Sequence, residues 1–175
     1  MQCRIKEGNI IKHVLLLLIL LASLAVWAGE ADLLANLPPD PGAAGKATLA
    51  GIDSDNDGVR DDVQRWIALT YPNSQKTRAA LRQYALAQQK FLLNAVDPVK
   101  TANNSSLRGN AVHCLFYIRG NDADIILSEL RAVFLNTGVR SRAYLQADRH
   151  LSGTSRMLPP RNQHMCSFNP NVLPN

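Results

Sequence analysis

Residues 53–62 read Asp-Ser-Asp-Asn-Asp-Gly-Val-Arg-Asp-Asp, with carboxylates at alternate positions through the first half of the run. A hard cation such as Ca2+ takes six to eight oxygens at about 2.3–2.6 Å, so a short loop can surround it only by turning sharply while supplying oxygens in order. Counted from Asp53, carboxylates occupy positions 1, 3, 5 and 9 through Asp53, Asp55, Asp57 and Asp61. Gly58 at position 6 permits the turn, and Val59 at position 7 need offer only its carbonyl, leaving its side chain for the core. The competing reading is a metal-free acidic turn whose aspartates cap the next helix. Four like charges packed so closely repel one another without a cation, which favours the ion.

This run resembles the calcium-binding repeats of the thrombospondin type 3 family and, more loosely, the EF-hand-like loops of dockerins, over about ten to twelve residues. The resemblance implies that Asp53, Asp55, Asp57, Asp61 and the Val59 carbonyl bind Ca2+. A full EF-hand ends in a bidentate glutamate at position 12, where this chain has Gln64. Asp62, water or a carboxylate from elsewhere would then complete the shell. Only one such loop is present, so neither a tandem array nor a paired sensor follows, and a structural role for calcium is expected.

No other chemistry is declared as clearly. There is no His-Glu-x-x-His pair, no Gly-x-Ser-x-Gly nucleophile turn and no phosphate-cradling glycine loop. His113 adjoins Cys114 and reads as a locally bonded or partly buried group. Asp148, Arg149 and His150 form the densest polar cluster outside the loop, but consecutive helical residues diverge and do not meet at one substrate atom. No catalytic residue is assigned. The alternative to a non-enzymatic module is an envelope hydrolase acting on cell-wall or carbohydrate material, its cleft built from Arg142, Asp148 and His150.

The chain's beginning bears on where it works. Arg4, Lys6 and Lys12 precede an apolar run from Val14 to Trp27, broken only at Ser23, with Val26 and Ala28 small enough for cleavage after Ala28. A retained anchor is the rival, although the run is short of the ~20 residues of a comfortable span. Residues 1–28 therefore read as a signal peptide, with no membrane span after its removal and a periplasmic or secreted destination. Cys3 leaves with it, and the remaining pair, Cys114 and Cys166, favours a disulfide in an oxidising compartment.

Charge is divided along the rest. Residues 29–62 hold eight acidic and two basic side chains, and residues 63–175 hold five acidic and fourteen basic ones. The basic residues are dispersed and lack interleaved aromatics, which argues against nucleic acid and for a solvated surface facing, where it meets anything, a protein or cell-envelope partner.

The elements that must position the loop are helical. Residues 29–51 contain Pro38, Pro39, Pro41, Gly42 and Gly45 and read as a flexible arm leading into the loop at 52–64. A helix from Asp61 to Thr70 gathers Val63, Trp66 and Ile67, and Pro72 follows it. Ser74–Val96 carries the stripe Ala80, Tyr84, Ala87, Phe91 and Ala95, flanked by Leu81 and Leu92. Ser105 or Ser106 is expected to cap the next helix, with Leu107, Ala111, Cys114, Leu115 and Ile118 inward and Gly120 at its end. Asn121 is expected to cap a helix bearing Ile126, Leu127, Leu130, Val133 and Phe134, closed by a left-handed Gly138. A last helix runs from about Ser141 to Leu151 and carries Tyr144 and Leu145, before an irregular tail. The expectation is an all-α domain of about five helices over residues 61–175.

Overall fold

Three of the helices begin where a side chain can accept the unpaired N–H groups of a first turn. The computed structural model describes residues 12–16, 35–155, 157 and 159–175, and the chain divides into two units, Met1–Leu37 and Pro38–Asn175. In the first unit, residues 12–16 are helical. The expected cleavage point after Ala28 and residues 29–34 of the arm lie outside the described residues.

The second unit is all-α, and no strand occurs among its described residues. Helix α1 spans Asp61–Thr70, α2 Gln75–Leu93, α3 Pro98–Arg119, α4 Asp122–Phe134 and α5 Gly138–Arg149, with short 3-10 turns at Ala44–Lys46 and Gln163–Met165. Ser74 caps α2 by accepting from the Thr77 N–H at 3.2 Å. Asp97 accepts from the N–H groups of Val99 and Lys100, both at 3.0 Å. Pro98 then occupies the first position of α3, where an N–H would be unpaired in any case.

Ser105 and Ser106 are therefore interior to α3 rather than its caps, and Ser106 donates back to the Ala102 carbonyl at 3.2 Å. The Asp97-Pro98 pair is the stronger start signal, because it satisfies two donors and pre-sets the backbone. Gly120 ends α3 with φ 58°, a conformation that costs glycine little. Asn121 flanks α4 but makes no side-chain cap bond. Gly138 is not a left-handed terminator of α4; it is the first residue of α5, whose cap is Thr137 accepting from the Arg140 N–H.

The core forms where the apolar stripes meet. The most extensive packing is between the antiparallel neighbours α2 and α3, and α1, α4 and α5 close around them. Ala80, Leu81, Tyr84, Phe91 and Leu92 of α2 are buried with Ala111, Cys114 and Leu115 of α3, Val63 and Ile67 of α1, and Leu130 and Phe134 of α4. Each fully buried Leu, Ile or Phe side chain contributes about 1.5–3 kcal/mol by leaving water. Leu107 departs from its expected inward line and is exposed, while Thr101 and Asn104 of the same helix are buried.

Cys114 and Cys166 form the disulfide, 52 residues apart in sequence. Gln83 of α2 fixes the same part of the tail, donating to the Met165 carbonyl at 2.8 Å and accepting from the Ser167 N–H at 2.9 Å. No helix among the described residues is long and apolar enough to cross a membrane.

Candidate metal centre

The loop is wound by its own backbone amides. Asp53 accepts from the N–H groups of Asp57 and Gly58 at 3.1 and 2.9 Å, which draws positions 5 and 6 over position 1. Asn56 and Gly58 adopt positive φ, 57° and 85°, to complete the reversal. A Cβ at Gly58 would lie 2.5 Å from the Leu86 side chain, so this position needs glycine both for its dihedral and for the approach of α2. Val59 then turns its side chain into the core, 2% exposed. Asp61 begins α1 by donating its N–H to the Ile52 carbonyl at 2.9 Å, and its Oδ1 receives the Ser54 N–H at 2.9 Å.

These constraints bring Asp53, Asp55 and Asp61 together, with one carboxylate oxygen of each lying within 4.8 Å of the others. Two oxygens on opposite sides of a calcium ion are separated by about that distance, since each sits ~2.4 Å from the metal. The three can therefore share one cation. Asp61 is 1% exposed, and its Oδ2 is buried with no hydrogen-bond partner. A buried carboxylate oxygen without a donor is costly, and a cation is the group that would relieve it.

Asp57 stands outside the triad. Its Oδ1 receives the Val59 N–H at 2.8 Å, and its Oδ2 is ion-paired with Arg82 of α2, a residue the sequence spacing could not have connected to the loop. Asp55 accepts the Gln64 carboxamide N–H at 3.0 Å, and this donor holds its carboxyl below the ordinary carboxylate value. Asp53 is shifted the other way: burial, with the adjacent Asp55 and Asp57 carboxylates, lifts it against the pull of the Gly58 and Asp57 amides.

Asp62, one of the three groups expected to be able to complete the shell, is engaged elsewhere. Its carboxylate is gripped by Arg60, with Nε to Oδ1 and Nη2 to Oδ2 both at 2.8 Å, and it also accepts from Asn136 at 3.2 Å. Burial raises the Asp62 pKa, but Arg60, Asn136 and the Arg140 charge outweigh burial and hold it below the ordinary value. Arg60 is fully buried and also donates to the carbonyls of Val133 and Phe134.

Arg140, equally buried, extends this clasp on the other side. It donates to Asn136 Oδ1 at 2.6 Å and to the carbonyls of Gly45, Thr48 and Leu49. Residues 38–51 of the Pro/Gly arm are thus fastened to the helices, with Arg65 holding the Pro38 carbonyl and Gln89 that of Ala50, both at 2.8 Å. The reading of the basic residues of 63–175 as solvated surface fails at Arg140, which is fully buried. Backbone carbonyls left unpaired need donors: Arg140 supplies them to the arm, and Arg60 to the last carbonyls of α4.

The candidate acid-base groups are not gathered. Asp148, Arg149 and His150 are all exposed at the end of α5. The nearby cavity, ≈ 320 Å³, is lined by Arg142, Leu145, Gln146 and Arg149, without Asp148 or His150. His113 is buried, and burial followed by the Arg161 charge lowers its pKa. A groove of ≈ 380 Å³ between α2, α3 and the tail includes Leu86, Lys90, Leu107, Asn110 and His164 but no carboxylate.

Gln64 and Arg82 are the residues that sequence reasoning missed as participants. Gln64 was visible at position 12, but only as a missing glutamate; Arg82 had no signal in the loop pattern. Comparison with protein-family models, curated proteins and solved structures finds no match to this chain.

Proposed function

We propose that this chain is an exported, calcium-stabilised helical module that serves binding or assembly in the cell envelope or outside the cell. The observation that carries the calcium reading is the Asp53, Asp55 and Asp61 triad, with ligand oxygens within 4.8 Å of one another and the buried Oδ2 of Asp61 lacking any donor. Asp57 and the Val59 carbonyl join by position once Arg82 gives way. Calcium here links the fastened arm to the first turn of α1, so its chemistry is to neutralise and order rather than to polarise a substrate. The charged N-terminal residues, the apolar run after them and the Cys114–Cys166 pair support export to an oxidising compartment. There an affinity on the order of 10⁻⁴–10⁻³ M suffices.

Calcium titration of the mature protein, followed by calorimetry and by thermal unfolding, tests this reading. At a hundredfold excess over Kd the folded state gains about 2.7 kcal/mol, a rise in Tm on the order of 10 °C. Asp61→Asn is expected to abolish most of that gain. Unchanged melting in calcium, with no binding heat, overturns the assignment.

A further inference from the structure

Resting on the calcium reading above, we infer that Gln64 is the position-12 ligand, closing the cation's shell through Oε1 after its carboxamide turns over. Gln64 is 8% exposed and lies at the end of the first turn of α1, three residues beyond Asp61. Its Nε2 touches Asp55 Oδ2 at 3.0 Å, so the carboxamide is already at the triad. Its Oε1 is buried with no partner. The amide is therefore half satisfied, and the unused half is the half that a metal wants.

Turning a carboxamide about its last bond exchanges oxygen and nitrogen at nearly the same two positions. Neighbouring oxygens in a calcium shell, each ~2.4 Å from the ion and about 80° apart, lie ~3 Å from one another. That is the present separation of Nε2 from Asp55 Oδ2. Without the ion, the N–H is the better neighbour for a carboxylate; with it, the oxygen is, because a cation repels an amide hydrogen and attracts the carbonyl dipole. One side chain thus serves both states with no change in backbone.

The choice of Gln over Glu follows from burial. A glutamate at this depth would add another carboxylate beside Asp53, Asp55 and Asp61, whose mutual repulsion already disfavours the ion-free loop. A neutral ligand lets α1 start before calcium arrives, at the cost of a weaker site.

The test uses calcium titration of the full mature chain by calorimetry, comparing wild type with Gln64→Leu and Gln64→Glu, each also melted in chelator. Gln64→Leu is expected to weaken calcium binding tenfold or more. Gln64→Glu is expected to tighten it about tenfold while lowering the Tm in chelator. This opposition keeps the outcome legible even if the leucine variant folds poorly. Wild-type affinity in both variants overturns the role of Gln64 while leaving the calcium site standing; no calcium binding by the wild type overturns both.

Discussion

Arg60 and Asp61 are adjacent and both almost wholly buried, but they belong to groups of charges that are settled in different ways. From Arg60 the connections run through Asp62 and Asn136 to Arg140, and every link is made by a protein donor and a protein acceptor. From Asp61 they run through the acidic loop, where Asp61 Oδ2 and Gln64 Oε1 are buried and remain without partners. The arginine clasp is complete in itself, whereas the loop keeps two unpaired buried oxygens beside a triad that could hold a cation. Charge density alone does not separate a structural cluster from a binding site; the accounting of donors and acceptors does.

Breaking the clasp is expected to have the largest effect. Arg60→Met removes the partner of Asp62 and two donors to the carbonyls ending α4, and it should cost about 3–5 kcal/mol in chemical denaturation, with or without calcium. A wild-type denaturation midpoint for that variant would falsify the clasp's role. Gly51→Ala attacks the same network from the backbone. Gly51 has φ 74°, and an added Cβ would lie 2.5 Å from Arg60 Cδ and 2.8 Å from Arg140 Nη2. A loss of about 2–3 kcal/mol is expected from the dihedral and the crowding together. The smallest change probes the loop instead: Arg82→Ala removes the guanidinium competing for Asp57, so calcium affinity should rise several-fold, worth about 1 kcal/mol or less, in a calorimetric titration. Weaker binding in that variant would mean that Arg82 helps to organise the site rather than competing for it.

The helices illustrate how far local pattern reaches. The stripe Ala80, Tyr84, Ala87 and Phe91 is buried as its spacing required, because three-and-four periodicity places those side chains on one face wherever the helix packs; Ala95 is buried too, but in the turn beyond Leu93, where α2 ends short of the expected Val96. α3 starts at Pro98 rather than near Ser105 or Ser106, because Asp97 just before a proline is the better cap. Gly138 lies in the next helix rather than terminating α4; a glycine between two helices is ambiguous in sequence, and Thr137 resolves it by capping α5. The expected disulfide rests on the pair of cysteines, Cys114 and Cys166, that lies beyond residues 1–28, and the packing of the tail against α2 and α3 brings its two halves together.

At the candidate site, the sequence by itself determined the order of the carboxylates, the glycine at the turn and the burial of Val59, since these follow from the geometry of a single short loop. Tertiary structure decided which of them converge. Asp62 was taken by Arg60, Asp57 was held by Arg82 from another helix, and the position-12 amide was placed against Asp55 with its oxygen unpaired. The physical reason is that a loop pattern specifies where oxygens lie along the chain, whereas their availability depends on donors that only folding brings within hydrogen-bonding distance.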